Sequence, residues 1–280
     1  MSTCTGHLSQ TENVTTFQAV ILGLIQGLTE FLPVSSSAHL SLAPVLFGWK
    51  DPGLAFDVAL HFGTLIAVLW YFRKQWIELI VAAGEIISTR RVDTPAKKRV
   101  IFLIIATIPG AIGGLLLEDK AETVFRAPAL TAWALMIMGF LLWIVDRVSS
   151  QARHLDGMRW LDALLIGIAQ VVALVPGVSR SGSTITAGRA LGLDRQSAAV
   201  FSFLMSMPII GAAVVLKGKD VLAGDGITTP VVAGVLAAAI SSWLAIAILL
   251  RYVSRHSYGI FALYRLVLGA AVLVFLQMRG

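Results

Sequence analysis

Charge is scarce in this chain. Only 14% of its 280 residues are Asp, Glu, Lys or Arg, while 57% are hydrophobic, and the mean hydropathy is +0.82. That imbalance excludes a soluble single-core protein of this length, whose core cannot hide so much apolar surface. Lipid has to serve as solvent. Cysteine is nearly absent as well. The lone Cys4 sits in a polar tail, which excludes a disulfide framework and a thiolate metal site. Residues 1–16 hold no Lys or Arg and no small-residue cleavage pattern, so the first apolar stretch is expected to act as an uncleaved insertion signal.

What is present is apolar length. A helix needs roughly 20 apolar residues to cross hydrocarbon. Segments 54–72, 100–117, 129–145, 198–216, 229–250 and 259–278 come close to that with few ionisable side chains, which predicts six full spans. Two more apolar stretches, 17–47 and 160–191, are too long for one span and are interrupted by proline, glycine and serine. The net charge of +6 does not point to nucleic acid here, because the basic residues fall in loops between spans. With loop 73–99 taken as internal, Lys and Arg divide fourteen inside to six outside, and Arg180 and Arg265 remain within membrane segments. Both termini are then outside, provided that each broken stretch returns to the side it entered. An interfacial helix is expected near Trp76–Ile87, with Trp70, Tyr71 and Trp76 forming an aromatic belt beside Arg73. Pro109 and Pro208 are expected to kink their helices, and Arg265 to pair or snorkel.

The broken stretches match at an offset of 144 residues: Gly23 falls on Gly167, Gln26 on Gln170, Val34 on Val178, Ser35 on Ser179 and Ser37 on Ser181. Each half reads as a broken hairpin followed by three spans. Three is odd, so the second half enters from the opposite face. The expected fold is an all-α polytopic membrane protein with an inverted-topology repeat. It forms a single membrane domain over 1–280, with repeat one at about 17–148 and repeat two at about 158–278.

Non-helical backbone cannot face lipid, so the breaks PVSSS and PGVSRSGS must line a cavity or be buried in protein. Pro33 ends one helix, and Ser35, Ser36 and Ser37 precede the next, which is N-cap chemistry. Pro176, Gly177, Ser179 and Ser181 repeat the arrangement ahead of Thr184. Two helix N-termini facing one site would bind phosphate, and Arg180 adds a full charge with a planar fork. Gln26 and Glu30 share a helix face one turn apart, and His39 follows in the next helix. Intramembrane ionisable groups point to function, although Glu30 and Arg180 alone would also serve as a structural pair and His39 as a core histidine. Asp57 and His61, four apart, are expected to hydrogen-bond to each other beside the site.

At QGLTEFLPVSSSAHL (26–40) and PGVSRSGSTIT (176–186) the chain closely resembles the undecaprenyl-diphosphate phosphatase family, the bacitracin-resistance protein BacA. The likeness extends through FDVALHFGTLIAVLWYF (56–72) and YRLVLGAAV (264–272). The resemblance implies hydrolysis of a polyprenyl diphosphate to the monophosphate and inorganic phosphate. That reaction recycles the lipid carrier of cell-wall glycans at the plasma (inner) membrane of a prokaryote, with the site toward the outer face, and goes with bacitracin resistance. The family's E/Q-x-x-x-E motif falls on Gln26 and Glu30, which with a divalent cation, Mg2+ or Ca2+, would form the metal site; some members have glutamate where this chain has Gln26. Its serine-rich segment and histidine map onto Ser35, Ser36 and His39, and its phosphate-gripping segment onto Ser179, Arg180 and Ser181 with Thr184 nearby.

On this reading Glu30, Ser36, His39 and Arg180 are catalytic, and Ser35, Ser37, Ser179, Arg180, Ser181 and Thr184 bind phosphate. Ser36 attacks the terminal phosphorus and Glu30 or His39 takes its proton, with attack by water or by His39 itself left open. The rival is a polyprenyl-phosphate flippase or transporter, which would share the repeats and the anion site. The expected partners are the lipid substrate, the bilayer and a second copy in a homodimer; small residues such as Gly110, Gly113 and Gly114 would pack helices within or between protomers.

Overall fold

A computed structural model describes residues 14–122, 127–223 and 226–279; Cys4 with the rest of the 1–13 tail, and Arg126, lie outside these segments. The described chain is helical: α1 (Thr16–Phe31), α2 (Ser36–Phe47), α3 (Leu54–Tyr71), α4 (Arg73–Thr89), α5 (Pro95–Glu122), α6 (Pro128–Val148), α7 (Trp160–Val172), α8 (Arg180–Ala190), α9 (Arg195–Ala223), α10 (Thr229–Val253) and α11 (Gly259–Arg279). Six of them, α3, α5, α6, α9, α10 and α11, are long and apolar enough to cross a membrane, as the sequence predicts. Pro109 and Pro208 sit inside α5 and α9 without ending them. The expected interfacial helix is α4, which follows α3 after Phe72 alone. Arg73 lies over the ring of Trp70 at 5.4 Å.

The two broken stretches become two short hairpins. A capping box between Thr15 and Gln18 opens α1. Pro33 bars Leu32 from helical geometry, and Leu32 is extended at φ −66°, ψ 139°. Helices α1, α2, α7 and α8 have 16, 12, 13 and 11 residues. At ~1.5 Å per residue none covers a hydrocarbon core of ~30 Å, so both breaks fall within the bundle, where Pro33, Val34, Ser35, Gly177, Val178 and Ser179 are buried. Both hairpins return to the end they left. The Gly192 carbonyl accepts from Arg153 N–H at 3.1 Å, and Asp194 N–H donates to the Arg153 carbonyl at 2.8 Å. Val14 and Trp49, which flank the first hairpin, join one apolar cluster with Leu22, Leu40 and Phe56.

Close backbone approach sets the packing. Gly23 and Gly27 on α1 lie against Gly234, Ala238 and Ser241 on α10, and Gly167 on α7 lies against Ala106 on α5. Small residues let helices meet in lipid, where apolar burial between spans gives little drive. Gly110 and Gly113 pack on Gln170 and Val171 of α7 within the chain, while Gly114 faces open space.

Arg265 departs most from expectation. It neither snorkels nor pairs with an acid: among the described residues it makes no ion pair, and it is fully buried. Its guanidinium instead donates to four carbonyls, Leu135 (3.2 Å), Pro33 (3.0 Å), Gly177 (2.8 Å) and Val178 (2.8 Å). Both breaks therefore hang on one side chain. Their carbonyls have left helical geometry and have no water to turn to, and an arginine fork with five N–H donors satisfies them together. Arg265→Met is expected to leave these carbonyls without donors, at about 1–3 kcal/mol each, and to lower the thermal unfolding midpoint in detergent by more than Arg265→Lys does. A Cβ at Gly27 would lie 2.0 Å from Ser241 Oγ and 2.4 Å from the Ala238 carbonyl. Gly27→Val is accordingly expected to lose about 1–3 kcal/mol through the α1–α10 contact, read in the same unfolding assay.

Candidate active site

The breaks are stapled to each other in both directions. Ser35 Oγ accepts from Gly177 N–H at 3.2 Å, and Ser181 Oγ donates toward the carbonyls of Glu30 (3.2 Å) and Leu32 (3.0 Å). Ser35 and Ser179 occupy matching places with φ 75° and 72°, in the left-handed region that side-chain-bearing residues rarely adopt. Such conformations cost about 1–3 kcal/mol each and persist only where the surroundings over-determine them. Ser179 is a true N-cap, its Oγ accepting from Gly182 N–H at 3.1 Å. Ser35 is not the cap the sequence suggests: its hydroxyl is engaged by Gly177 and by Ser37 Oγ at 3.2 Å.

Glu30, in the last turn of α1, is the hub. One carboxylate oxygen takes Arg180 Nη2; the other accepts Ser36 Oγ–H at 2.6 Å and Gln26 Nε2–H at 3.0 Å, and lies 3.6 Å from His61 Nε2. Arg180 is steadied by a second bond, from Nη1 to the Ser206 carbonyl at 3.1 Å. The structure therefore brings Gln26, Glu30, Ser36 and Arg180 into one cluster. A carboxylate at the carbonyl end of a buried helix is unfavourable by itself, and the arginine and the O–H and N–H donors offset that. With Arg265 close behind α8, where its Nη1 lies 2.5 Å from a Cβ built on Gly182, the site carries positive charge that only backbone carbonyls balance. The first amides of α2 and α8 have no intrahelical acceptors and add partial positive charge.

Other expected site residues are turned elsewhere. Thr184 is buried with its Oγ1 on the Arg180 carbonyl (2.8 Å) and Ser202 Oγ (2.7 Å), in the seam between α8 and α9. His39 makes no hydrogen bond with Ser36: its Nδ1 meets the Ser35 carbonyl at 2.7 Å and its Nε2 the Tyr264 hydroxyl at 2.6 Å. His61 does bond to Asp57, through Nδ1 at 2.7 Å from its backbone carbonyl, and this aims Nε2 at Glu30. Asp57 lines a cavity of about 120 Å³ with Ser37, Ser41, Asp51, Thr131 and Pro176. His61, Ser206, Tyr264 and Arg265 are the site neighbours that sequence reasoning missed or underrated. The YRL sequence on α11 marked Tyr264 and Arg265, and Arg265 also stood out as a charge within a membrane segment.

For a cation, Gln26 supplies the telling atom. Its Oε1 is buried without a hydrogen-bond donor, while its Nε2 holds Glu30. Oxygen donors from a carboxylate, an amide and a hydroxyl suit Mg2+ or Ca2+ when substrate oxygens and water complete the shell. No group of three His, Cys, Asp or Glu that could hold a metal occurs among the described residues.

At the opposite end of α8 the chain is tied shut. Asp146 accepts from Arg189 Nε (2.9 Å), Arg195 Nε (2.8 Å) and Tyr258 N–H (3.0 Å), and Arg189 also donates to the Ser149 and Ser150 carbonyls. Beside it, burial pushes the Asp194 carboxyl up, but bonds from the Ser197 amide and hydroxyl and from His154 outweigh it and hold the group below its ordinary value.

A family model described as bacitracin resistance protein BacA matches residues 19–271. A protein of Gemmatimonas aurantiaca called undecaprenyl-diphosphatase is 61% identical over 266 residues, covering 95% of this chain and 100% of the relative. Proteins of the same name from Pelotomaculum thermopropionicum and Moorella thermoacetica are each 49% identical, covering 95% of this chain and 98% and 100% of the relatives. With five spans, the start of the sixth and both site motifs inside the matched region, the chain belongs to the BacA bacitracin resistance protein family.

Proposed function

We propose that this protein hydrolyses undecaprenyl diphosphate, or a close polyprenyl diphosphate, to the lipid monophosphate and inorganic phosphate. One observation carries the mechanism: the Ser36 hydroxyl donates to Glu30 at 2.6 Å while Arg180 grips the other carboxylate oxygen. Ser36 Oγ attacks the terminal phosphorus, its proton passes to Glu30 and from there to the leaving phosphate oxygen as the anhydride P–O bond breaks and lipid monophosphate departs. Water then attacks the phosphoserine, giving a proton to the regenerated Glu30 carboxylate, which returns it to Ser36 Oγ as the serine P–O bond breaks and inorganic phosphate leaves. Arg180, the exposed Ser37 and the first amides of α2 and α8 stabilise the charge that develops on the transferred phosphoryl oxygens. A divalent cation held by Glu30 and Gln26 Oε1 would neutralise pyrophosphate charge.

The inverted repeat belongs to the same reading. Helix α1 packs on α10 as α7 packs on α5, which is the pairing expected when residues about 17–148 and 158–278 are equivalent halves. The charge distribution favours a plasma membrane setting with the Asp146 end inside and the cavity of Ser37, Asp51 and Asp57 toward the outer face. Such a site would return the lipid carrier to cell-wall synthesis, and removal of its diphosphate form would confer bacitracin resistance. A carrier would instead have to open the inner end in every cycle, breaking the bonds of Arg189, Arg195 and Tyr258 to buried Asp146.

Purified protein in detergent is expected to release phosphate from undecaprenyl diphosphate and to stop on chelation. Glu30→Ala, Arg180→Ala and Ser36→Ala should each lower kcat by about 10²-fold or more. Retention of most activity by Ser36→Ala would transfer the attack to water, and lipid binding without release under any divalent metal would favour the carrier.

A further inference from the structure

The apolar groove between α4 and α5 and the Arg251–Arg255 cleft show nothing of their occupants, whereas both nitrogens of His39 are fully engaged. A carbonyl oxygen can only accept, so the 2.7 Å contact with Ser35 places a proton on Nδ1. In the neutral ring Nε2 then accepts the Tyr264 hydroxyl proton across 2.6 Å. The two rings lie nearly parallel, 6° apart. Ser36, meanwhile, sends its own proton to Glu30.

We infer that His39 and Tyr264 form a positioning pair rather than a proton-transfer group: Tyr264 fixes the tautomer, and His39 Nδ1–H clamps the Ser35 carbonyl. The inference rests on the phosphatase reading above. Ser35 is where a clamp is needed. It stands immediately before Ser36 in the left-handed region, and its carbonyl already accepts the His39 main-chain N–H at 3.3 Å. Rotation of that peptide would swing Ser36 Oγ away from Glu30 and from the line of attack. The matching position in the second hairpin is Ser183, where the helix needs no nucleophile and Ser179 caps with its own side chain. Tyr264 and Arg265 are adjacent on α11, so one turn of that helix would hold both the first break and the residue after it.

Asparagine separates the roles, because its amide N–H can occupy the place of Nδ1–H but it cannot take up a proton. His39→Ala is expected to lose about 10²-fold in kcat by misplacing the serine, whereas His39→Asn should recover most of that loss with KM and the shape of the pH profile unchanged. Tyr264→Phe should lower kcat in the wild-type background and have no effect in the His39→Asn background, since it acts through the ring. His39→Asn as inactive as His39→Ala in a protein with wild-type thermal stability, with one limb of the pH profile gone, would make His39 the base and overturn the inference. Acid-labile phosphohistidine trapped with labelled substrate would do the same. Absence of phosphate release by the wild-type protein is a separate result, which would overturn the phosphatase reading itself.

Discussion

Two lengths of backbone leave the helix in the middle of the bundle, where no lipid group can hydrogen-bond to them, and the rest of the structure follows from how their polar groups are satisfied. Ser35 takes the Gly177 amide, Ser181 takes carbonyls of the opposite break, and Arg265 gathers three carbonyls from both breaks and one from α6. An unsatisfied amide or carbonyl in that setting costs several kcal/mol, so the breaks are specified as a pair and neither hairpin is complete alone. The glycine contacts of α1 on α10 and of α7 on α5 bring the hairpins near enough for the exchange.

Within this frame the two hairpins hold different residues. At the offset of 144, Ser36 corresponds to Arg180 and Glu30 to Leu174. One hairpin thus supplies a hydroxyl with an adjacent acceptor, and the other supplies the cation at the same place on its own short helix. Had both carried arginine, two cations would face each other without a carboxylate; had both carried serine with glutamate, two carboxylates would stand without a cation. Glu30 ties the hairpins together by taking the serine and the arginine on separate oxygens.

Much of this is legible in sequence because lipid is an unforgiving solvent. Apolar length alone fixes the six spans, and proline, glycine and serine in a 31-residue apolar stretch, 17–47, mark a break that cannot be a loop in water. The spacing of Gln26 and Glu30 shows in the structure as a hydrogen bond. The local pattern does not say where a side chain turns when several acceptors compete. Ser35 looks like an N-cap and bonds across the repeats, Thr184 looks like a phosphate ligand and bonds to Ser202, and His39 meets a residue 225 positions away. Arg265 was the least readable, because carbonyls at positions 33, 177 and 178 leave no mark in the sequence around it.

The place of Arg265 also bears on synthesis. It lies in the last helix, so a growing chain holds both hairpins in the membrane before their common donor has emerged. Until α11 arrives, the nascent protein has a serine and a glutamate on a backbone not yet tied down. The α11 span thus completes the hydrogen bonding of both breaks, and a chain lacking it would hold the cluster of Glu30, Ser36 and Arg180 on backbone without its common donor.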